Sequence, residues 1–158
     1  MLKQKIIKDK IDSFIKQGFK NIVLAGHSAG GWASISLKSK FPEKIVGVIA
    51  LNPAAGGTIK NRKDWPWWED IRSYTMNLAK LSNLTNELIF AHNKDKYDTP
   101  KSLSFLSSLG SVKLIDLSGS GCKGKLTLGG DHGVTLTKCF AEYEVKNKNI
   151  FQYLEKIF

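Results

Sequence analysis

Five residues, Gly26-His27-Ser28-Ala29-Gly30, carry the clearest chemical signal in the chain. They spell G-x-S-x-G between a short run of branched apolar residues and a segment with helical spacing, the context this pattern requires. A strand turning straight into a helix leaves the serine on a sharp, strained bend at the end of the sheet. The glycines two before and two after it are expected to keep side chains from colliding across that bend. The following helix aims its positive N-terminal end at the hydroxyl. The Ala29 N–H is then placed to donate to an oxyanion. The chemistry implied is nucleophilic attack by Ser28.

A nucleophilic serine needs a base, and the base needs a group to orient it. In the architecture that carries a G-x-S-x-G elbow, the order along the chain is serine, then Asp or Glu, then histidine. Asp95 follows a third apolar run, in His92-Asn-Lys-Asp95, and His132 follows a fourth, in Gly129-Gly-Asp-His132-Gly133. Both lie beyond the carboxyl ends of expected strands, the rim where open α/β sheets bind ligands. His27 is the serine's own neighbour and its side chain points elsewhere; His92 ends a strand and reads as a packed or loop-bonding residue. His132 is therefore the base. Asp95 is the preferred orienter, with Asp98 on the same loop as its competitor.

Two other patterns suggest different chemistry. Gly119-Ser-Gly-Cys-Lys-Gly-Lys125 fits G-x-x-x-x-G-K after a strand, the form of a phosphate-binding loop. The next residue is Leu126, where a Ser or Thr would hold magnesium, and no helix pattern begins there. A mobile basic loop is the better reading. Cys122 and Cys139 lack metal-site or disulfide-framework spacing, so reduced thiols in a cytoplasmic protein are expected. No metal or organic cofactor is implied.

The elements that must carry these residues alternate. Ile7, Ile11, Phe14 and Ile15 have helical spacing that stops at Gly18, and Asn21–Gly26 is a continuous apolar run. Ala29–Phe41 is helical in character and halts at Pro42. Ile45–Leu51 is a second strand, ending at Asn52-Pro53, and Pro53–Asp64 is a loop. Trp67–Leu81 is a helix, Glu87–His92 a strand, Lys101–Leu109 a helix with Pro100 in its first turn, and Val112–Leu117 a fourth strand. A glycine-rich loop, Ser118–Asp131, precedes two closing helices at Val134–Val145 and Asn149–Phe158. Strands read as apolar on both faces belong to parallel sheets covered on both sides. The alternation is that of one layered α/β domain.

Composition narrows the function classes. The chain has 158 residues, 42% hydrophobic and 24% charged, which is a globular balance and one domain's length. No apolar run approaches the roughly 20 residues needed to span a bilayer. The amino-terminal segment, with lysines and aspartates among its apolar positions, is not a signal peptide. A formal charge of +10 invites a nucleic-acid partner, yet only Arg62 and Arg72 among 24 basic residues carry the guanidinium fork that base readout favours. The lysines are also scattered. A solvated lysine surface, with no specific nucleic-acid partner, is the expectation.

The motif, the acid-bearing loop Leu88–Asp95 and the segment Gly130-Asp-His132-Gly133 together resemble the α/β-hydrolase family. The resemblance runs from the helix before the motif to the carboxyl end. It implies an α/β-hydrolase-like parallel sheet with flanking helices, truncated to about four strands, over residues 1–158. It further implies a Ser28–His132–Asp95 triad, an Ala29 oxyanion donor and a small-molecule ester-like substrate. Trp65, Trp67 and Trp68 stand where lid elements are often inserted and could roof an acyl pocket. The family places strands before the elbow strand, whereas here the elbow strand comes first. That departure predicts an open edge at residues 21–26, inviting self-association or a complementing amino-terminal half. The rival reading is a catalytically silent fragment that acts as an interaction module.

Overall fold

The computed structural model describes residues 2–80 and 84–158. Four parallel strands form one sheet in the order β1 (Val23–His27), β2 (Gly47–Leu51), β3 (Leu84–Ala91) and β4 (Gly110–Asp116). Helix α1 (Leu2–Lys16) precedes β1, and α2 (Ala29–Lys40) links it to β2. The short α3 (Ile59–Asp64) and longer α4 (Trp67–Lys80) lead to β3. Next, α5 (Pro100–Leu103) and a 3-10 segment, Ser104–Leu109, lead to β4. Two helices, α6 (Lys138–Asn147) and α7 (Asn149–Ile157), close the chain.

Register is what builds the site. His27 pairs with Leu51, Leu51 with Phe90, and Ala91 with Asp116. The strands therefore finish nearly level, and the residues just beyond β1, β2 and β3 (Ser28, Asn52 and His92) share one rim. Alternation along the strands loads both faces with apolar side chains. Val48, Ala50, Ile89 and Ala91 pack with Trp32 and Ile35 of α2. Ile49, Leu88 and Phe90 pack on the other face with Val134, Phe140 and Tyr153. A sheet so covered explains why its strands read as continuous apolar runs.

Several boundaries differ from the sequence reading, each for a local reason. The expected loop 53–64 contains α3, started by the Thr58 hydroxyl accepting from the Asn61 amide at 3.0 Å. Five polar residues after Ile59 offer no apolar period to detect. The expected helix 101–109 tightens to 3-10 after Leu103, where the Ser104 and Ser108 hydroxyls bond carbonyls three residues back. Residues Gly130–Leu136 form another 3-10 segment, so α6 begins at Lys138 instead of Val134. β3 begins at Leu84, earlier than expected, and the expected helix end at Leu81 lies outside the described residues.

Among the described residues no strand pairs with the outer side of β1. The apolar stripe of α1 is also only half covered: Ile11 is buried against Ile22, Leu37 and Ile45, while Ile6, Phe14 and Ile15 are exposed.

Glu87 is fully buried in β3, and no well-formed hydrogen bond reaches its carboxylate, although the Thr85 amide lies near. Burial pushes its pKa up to about 7, against the pull of the Lys38 ammonium from α2. The Tyr153 phenol of α7 also faces it, and its own pKa is raised chiefly by burial. A carboxyl raised in the fold stabilises fully below its unfolded value near 4.5, and that stabilisation is lost as pH rises through about 7. Glu87→Gln should therefore be more stable than wild type at pH 8 by about 3 kcal/mol, at about 1.4 kcal/mol per unit. The advantage should vanish at pH 4. Urea unfolding of both proteins at the two pH values checks this, and an equal difference at both would contradict it.

Candidate active site

Ser28 sits between β1 and α2 with φ 55° and ψ −125°, a conformation that costs a non-glycine residue on the order of 1–3 kcal/mol. Its backbone is pinned on both sides. The Ser28 N–H donates to the Leu51 carbonyl at 3.0 Å, and the Ser28 carbonyl accepts from Ala54 and Trp32 amides at 3.2 Å. Gly26 is required by the bend, because a Cβ there would collide with the Gly30 carbonyl and come 2.8 Å from the Gly31 amide. The expected partner constraint at Gly30 is absent: a Cβ there meets nothing within 4 Å. Gly31 takes that role, since its Cβ would lie 3.1 Å from both the Gly26 oxygen and Pro53. Ala29 is the first residue of α2, so its N–H has no intrahelical acceptor.

His132 Nε2 lies 2.8 Å from Ser28 Oγ, and its Nδ1 lies 2.8 Å from Asp95 Oδ2. With a carboxylate at Nδ1, the proton belongs on that nitrogen, leaving Nε2 to accept from the serine hydroxyl. Asp95 Oδ1 accepts from the Tyr97 amide at 2.8 Å, and Oδ2 also accepts from Asn52 Nδ2 at 3.1 Å. Asp95 and His132 are both buried. The three groups named from sequence are brought together in one line.

The competitor, Asp98, faces away from this line. It accepts from Arg72 at 2.9 Å and 3.1 Å and from the Ala55 amide at 3.2 Å, with Arg62 at 3.8 Å. Both arginines of the chain thus converge on one structural carboxylate. Arg62 also donates to the Gly57 and Tyr97 carbonyls, which ties the acid loop to the segment after β2. His92 is buried and its Nδ1 accepts from the Lys94 amide at 3.1 Å, a loop-bonding role as expected.

No protein-family model matches the chain, and no curated protein matches it. Solved structures do. An α/β-hydrolase enzyme from a lagoon-sediment metagenome is similar with a TM-score of 0.55 at 15% identity, over 96% of this chain and 69% of that one. A monoacylglycerol lipase of Paleococcus ferrophilus gives 0.53 at 16%, over 72% of this chain. Naproxen esterase of Bacillus subtilis gives 0.52 at 13%, over 89% of this chain. The chain has the α/β-hydrolase fold. It spans 63% of the length of both the lipase and the esterase.

In this α/β-hydrolase fold the residues that sequence reasoning missed are supports. Asn52 follows β2 with φ 44°, its amide bonded to the Phe90 carbonyl at 2.8 Å and its side chain on Asp95. A polar residue ending an apolar strand, level with Ser28, was the available signal. Tyr97 lays its ring 4.3 Å from that of His132. Trp65 and Trp67 are 58% and 49% exposed, and Trp67 stacks on Trp68 at 4.1 Å. Trp68 covers Gly57. Among the described contacts, none joins these tryptophans to Ser28 or His132.

The expected free thiols are overturned. Cys122 and Cys139 form a disulfide, with their Cα atoms 5.6 Å apart. Folding brings the end of the glycine-rich loop's first half against the start of α6, a proximity that spacing alone cannot reveal. The closed loop holds His132, and within it the Gly124 amide donates to Asp131 Oδ1 at 3.1 Å. Closing 17 residues of chain stabilises by roughly 3 kcal/mol through the unfolded state. The Cys122→Ser, Cys139→Ser double variant should lose about that much in urea unfolding. Its amides from Gly124 to Leu136 should exchange faster, while those of β2 and β3 hold. Unchanged exchange in the loop would show that the bridge does not brace the base.

Proposed function

We propose that the chain is a serine hydrolase that cleaves an ester-like or related acyl bond in a small molecule. The observation that carries this reading is the continuous hydrogen-bonded line from Ser28 through His132 to Asp95. Those residues stand 104 and 37 positions apart in the chain. Ser28 Oγ attacks the substrate carbonyl as its proton passes to His132 Nε2. The Ala29 N–H donates to the oxyanion at the positive end of α2. His132 then returns the proton to the leaving group, and the acyl-serine is cleared by water in the same sequence. Asp95 holds the imidazole and stabilises its charged form. The esterase and lipase named above support ester-like substrates by analogy of fold. Trp65, Trp67 and Trp68 are proposed as apolar surface for the acyl or alcohol group, since exposed indoles pay off only against an apolar partner.

The disulfide favours an oxidising compartment over the cytoplasm, because such bridges persist where thiols are not kept reduced. No described helix is long and apolar enough to cross a membrane. The surface lysines remain unspecific attractors of polyanions.

A fluorophosphonate probe should label the wild-type chain and leave Ser28→Ala unlabelled. With an activated ester, Asp95→Asn should cut kcat on the order of 10⁴-fold, as in the best-studied triad. Asp98→Asn should keep most of kcat and lose stability, because the Arg62 and Arg72 guanidinium groups would keep only the half-exposed Glu69 as a carboxylate partner. The reverse ranking would move the acid to Asp98.

The alternative, an interaction module without turnover, draws on the open side of β1. An apolar edge with unpaired backbone groups recruits further strands. We infer that residues 21–26 pair with a second copy or with a complementing amino-terminal half. Sedimentation at low micromolar concentration should give species larger than 17.6 kDa. A cooperative monomer with protected amides from Ile22 to Leu24 would refute it.

A further inference from the structure

His27 and Tyr97 both set their rings beside that of His132. The His27 Nε2 lies 2.9 Å from the backbone carbonyl oxygen of His132, and its ring centroid lies 4.9 Å from that of His132. A carbonyl only accepts, so His27 carries its proton on Nε2 and donates it. The His132 segment needs such a tie. It starts at Gly129 and Gly130, both at positive φ, as a 3-10 turn, and no α-helix begins until Lys138. Glycines give that backbone freedom, and freedom in the base costs rate.

We propose that His27 is a positioning residue for His132, so that the strand carrying the nucleophile also sets the height and tilt of the base. The tie has a particular mechanical consequence. His27 and Ser28 are consecutive, so any movement of β1 shifts the nucleophile and the clamp together. The Ser28–His132 distance is then held by a short circuit: Ser28, His27, the His132 carbonyl and the His132 ring. Two contacts share the task. The hydrogen bond fixes the backbone of the base, while the ring contact, with that of Tyr97, limits the rotation of its imidazole. His27 touches neither Ser28 Oγ nor the proton in flight, so its effect belongs in kcat and leaves KM nearly unchanged.

This inference rests on the serine-hydrolase reading, and the test separates the two. Two variants divide the contacts. His27→Phe keeps a ring beside His132 and removes the donor; His27→Gln keeps a donor at the same number of bonds from Cα and removes the ring. With an activated ester, His27→Phe should lose roughly 10- to 100-fold in kcat, the scale of a small misplacement of a catalytic group. KM should stay within about twofold of wild type, and His27→Gln should recover most of the loss. The second readout needs no turnover: the proton that His132 Nδ1 shares with Asp95, followed by NMR. It should exchange faster with water in His27→Phe than in wild type and slow again in His27→Gln. Wild-type protein that neither labels with fluorophosphonate nor turns over ester would overturn the hydrolase reading, and the proton signal would still judge the clamp. Equal exchange of that proton in wild type and His27→Phe, or no recovery in His27→Gln, overturns the role of His27.

Discussion

The structure depends on one close approach, the first turn of α2 against the end of β1 at Gly26. Without a side chain there, the Gly30 carbonyl and the Gly31 amide come into contact with the strand, and the chain reverses within one residue. Ser28 absorbs the reversal in its own backbone, at φ 55°. A strain on the order of 1–3 kcal/mol persists only where neighbours overdetermine it. Here the Leu51 carbonyl and the Ala54 and Trp32 amides do so. Because Leu51 ends β2 and Ala54 follows it, the same contacts that hold the serine also fix the rim on which Asn52 stands.

His132, the proposed base, comes from the opposite kind of structure. Its loop is rich in glycine and anchors in the core mainly through Val134, so ties from outside add to its order. Four ties do so: the Cys122–Cys139 bridge, the Gly124–Asp131 bond, the contact from His27 and the Nδ1 bond to Asp95. Gly124 belongs to this set for a steric reason as well, since a Cβ there would overlap the Gly130 carbonyl. The disulfide acts mainly on the unfolded chain, whereas the His27 and Asp95 bonds select the ring's position in the folded one. Rigid strand and braced loop are thus complementary routes to the same precision.

What sequence could reveal follows from the range of each interaction. The Gly26–Gly30 motif, the four strands and the order Ser28, Asp95, His132 are local signals along the chain, and the structure brings those residues together as expected. The short α3 has one apolar residue and no period to reveal it, and the apolar spacing of Ser104–Leu109 marks a helix without showing that its hydroxyls tighten it to 3-10. The disulfide is not legible in the sequence, because 17 residues of glycine-rich chain carry no geometric information until α6 docks. Asn52 and His27 were noted but given no role in the site. Their partners lie 43 and 105 positions away, and a polar residue's distant acceptor leaves no mark on its neighbours.

Asp95 and Asp98 show how burial and charge divide two similar carboxylates. Both are almost wholly buried, both lie on the loop after β3, and each accepts several hydrogen bonds. Asp98 meets cations: Arg72 forks onto it, Arg62 stands at 3.8 Å, and its charge is consumed in tying α3 and α4 to the loop. Asp95 meets only neutral donors, the Tyr97 amide and the Asn52 side chain, besides His132 itself. Neutral donors satisfy a carboxylate's lone pairs without cancelling its field. The field of Asp95 therefore remains available to an imidazolium at 2.8 Å, while that of Asp98 does not. Spacing could narrow the acid to two residues three positions apart. Under the proposed triad, the location of the two arginines on Asp98 favours Asp95 as the acid, and that location depends on how α3 and α4 fold back over the loop.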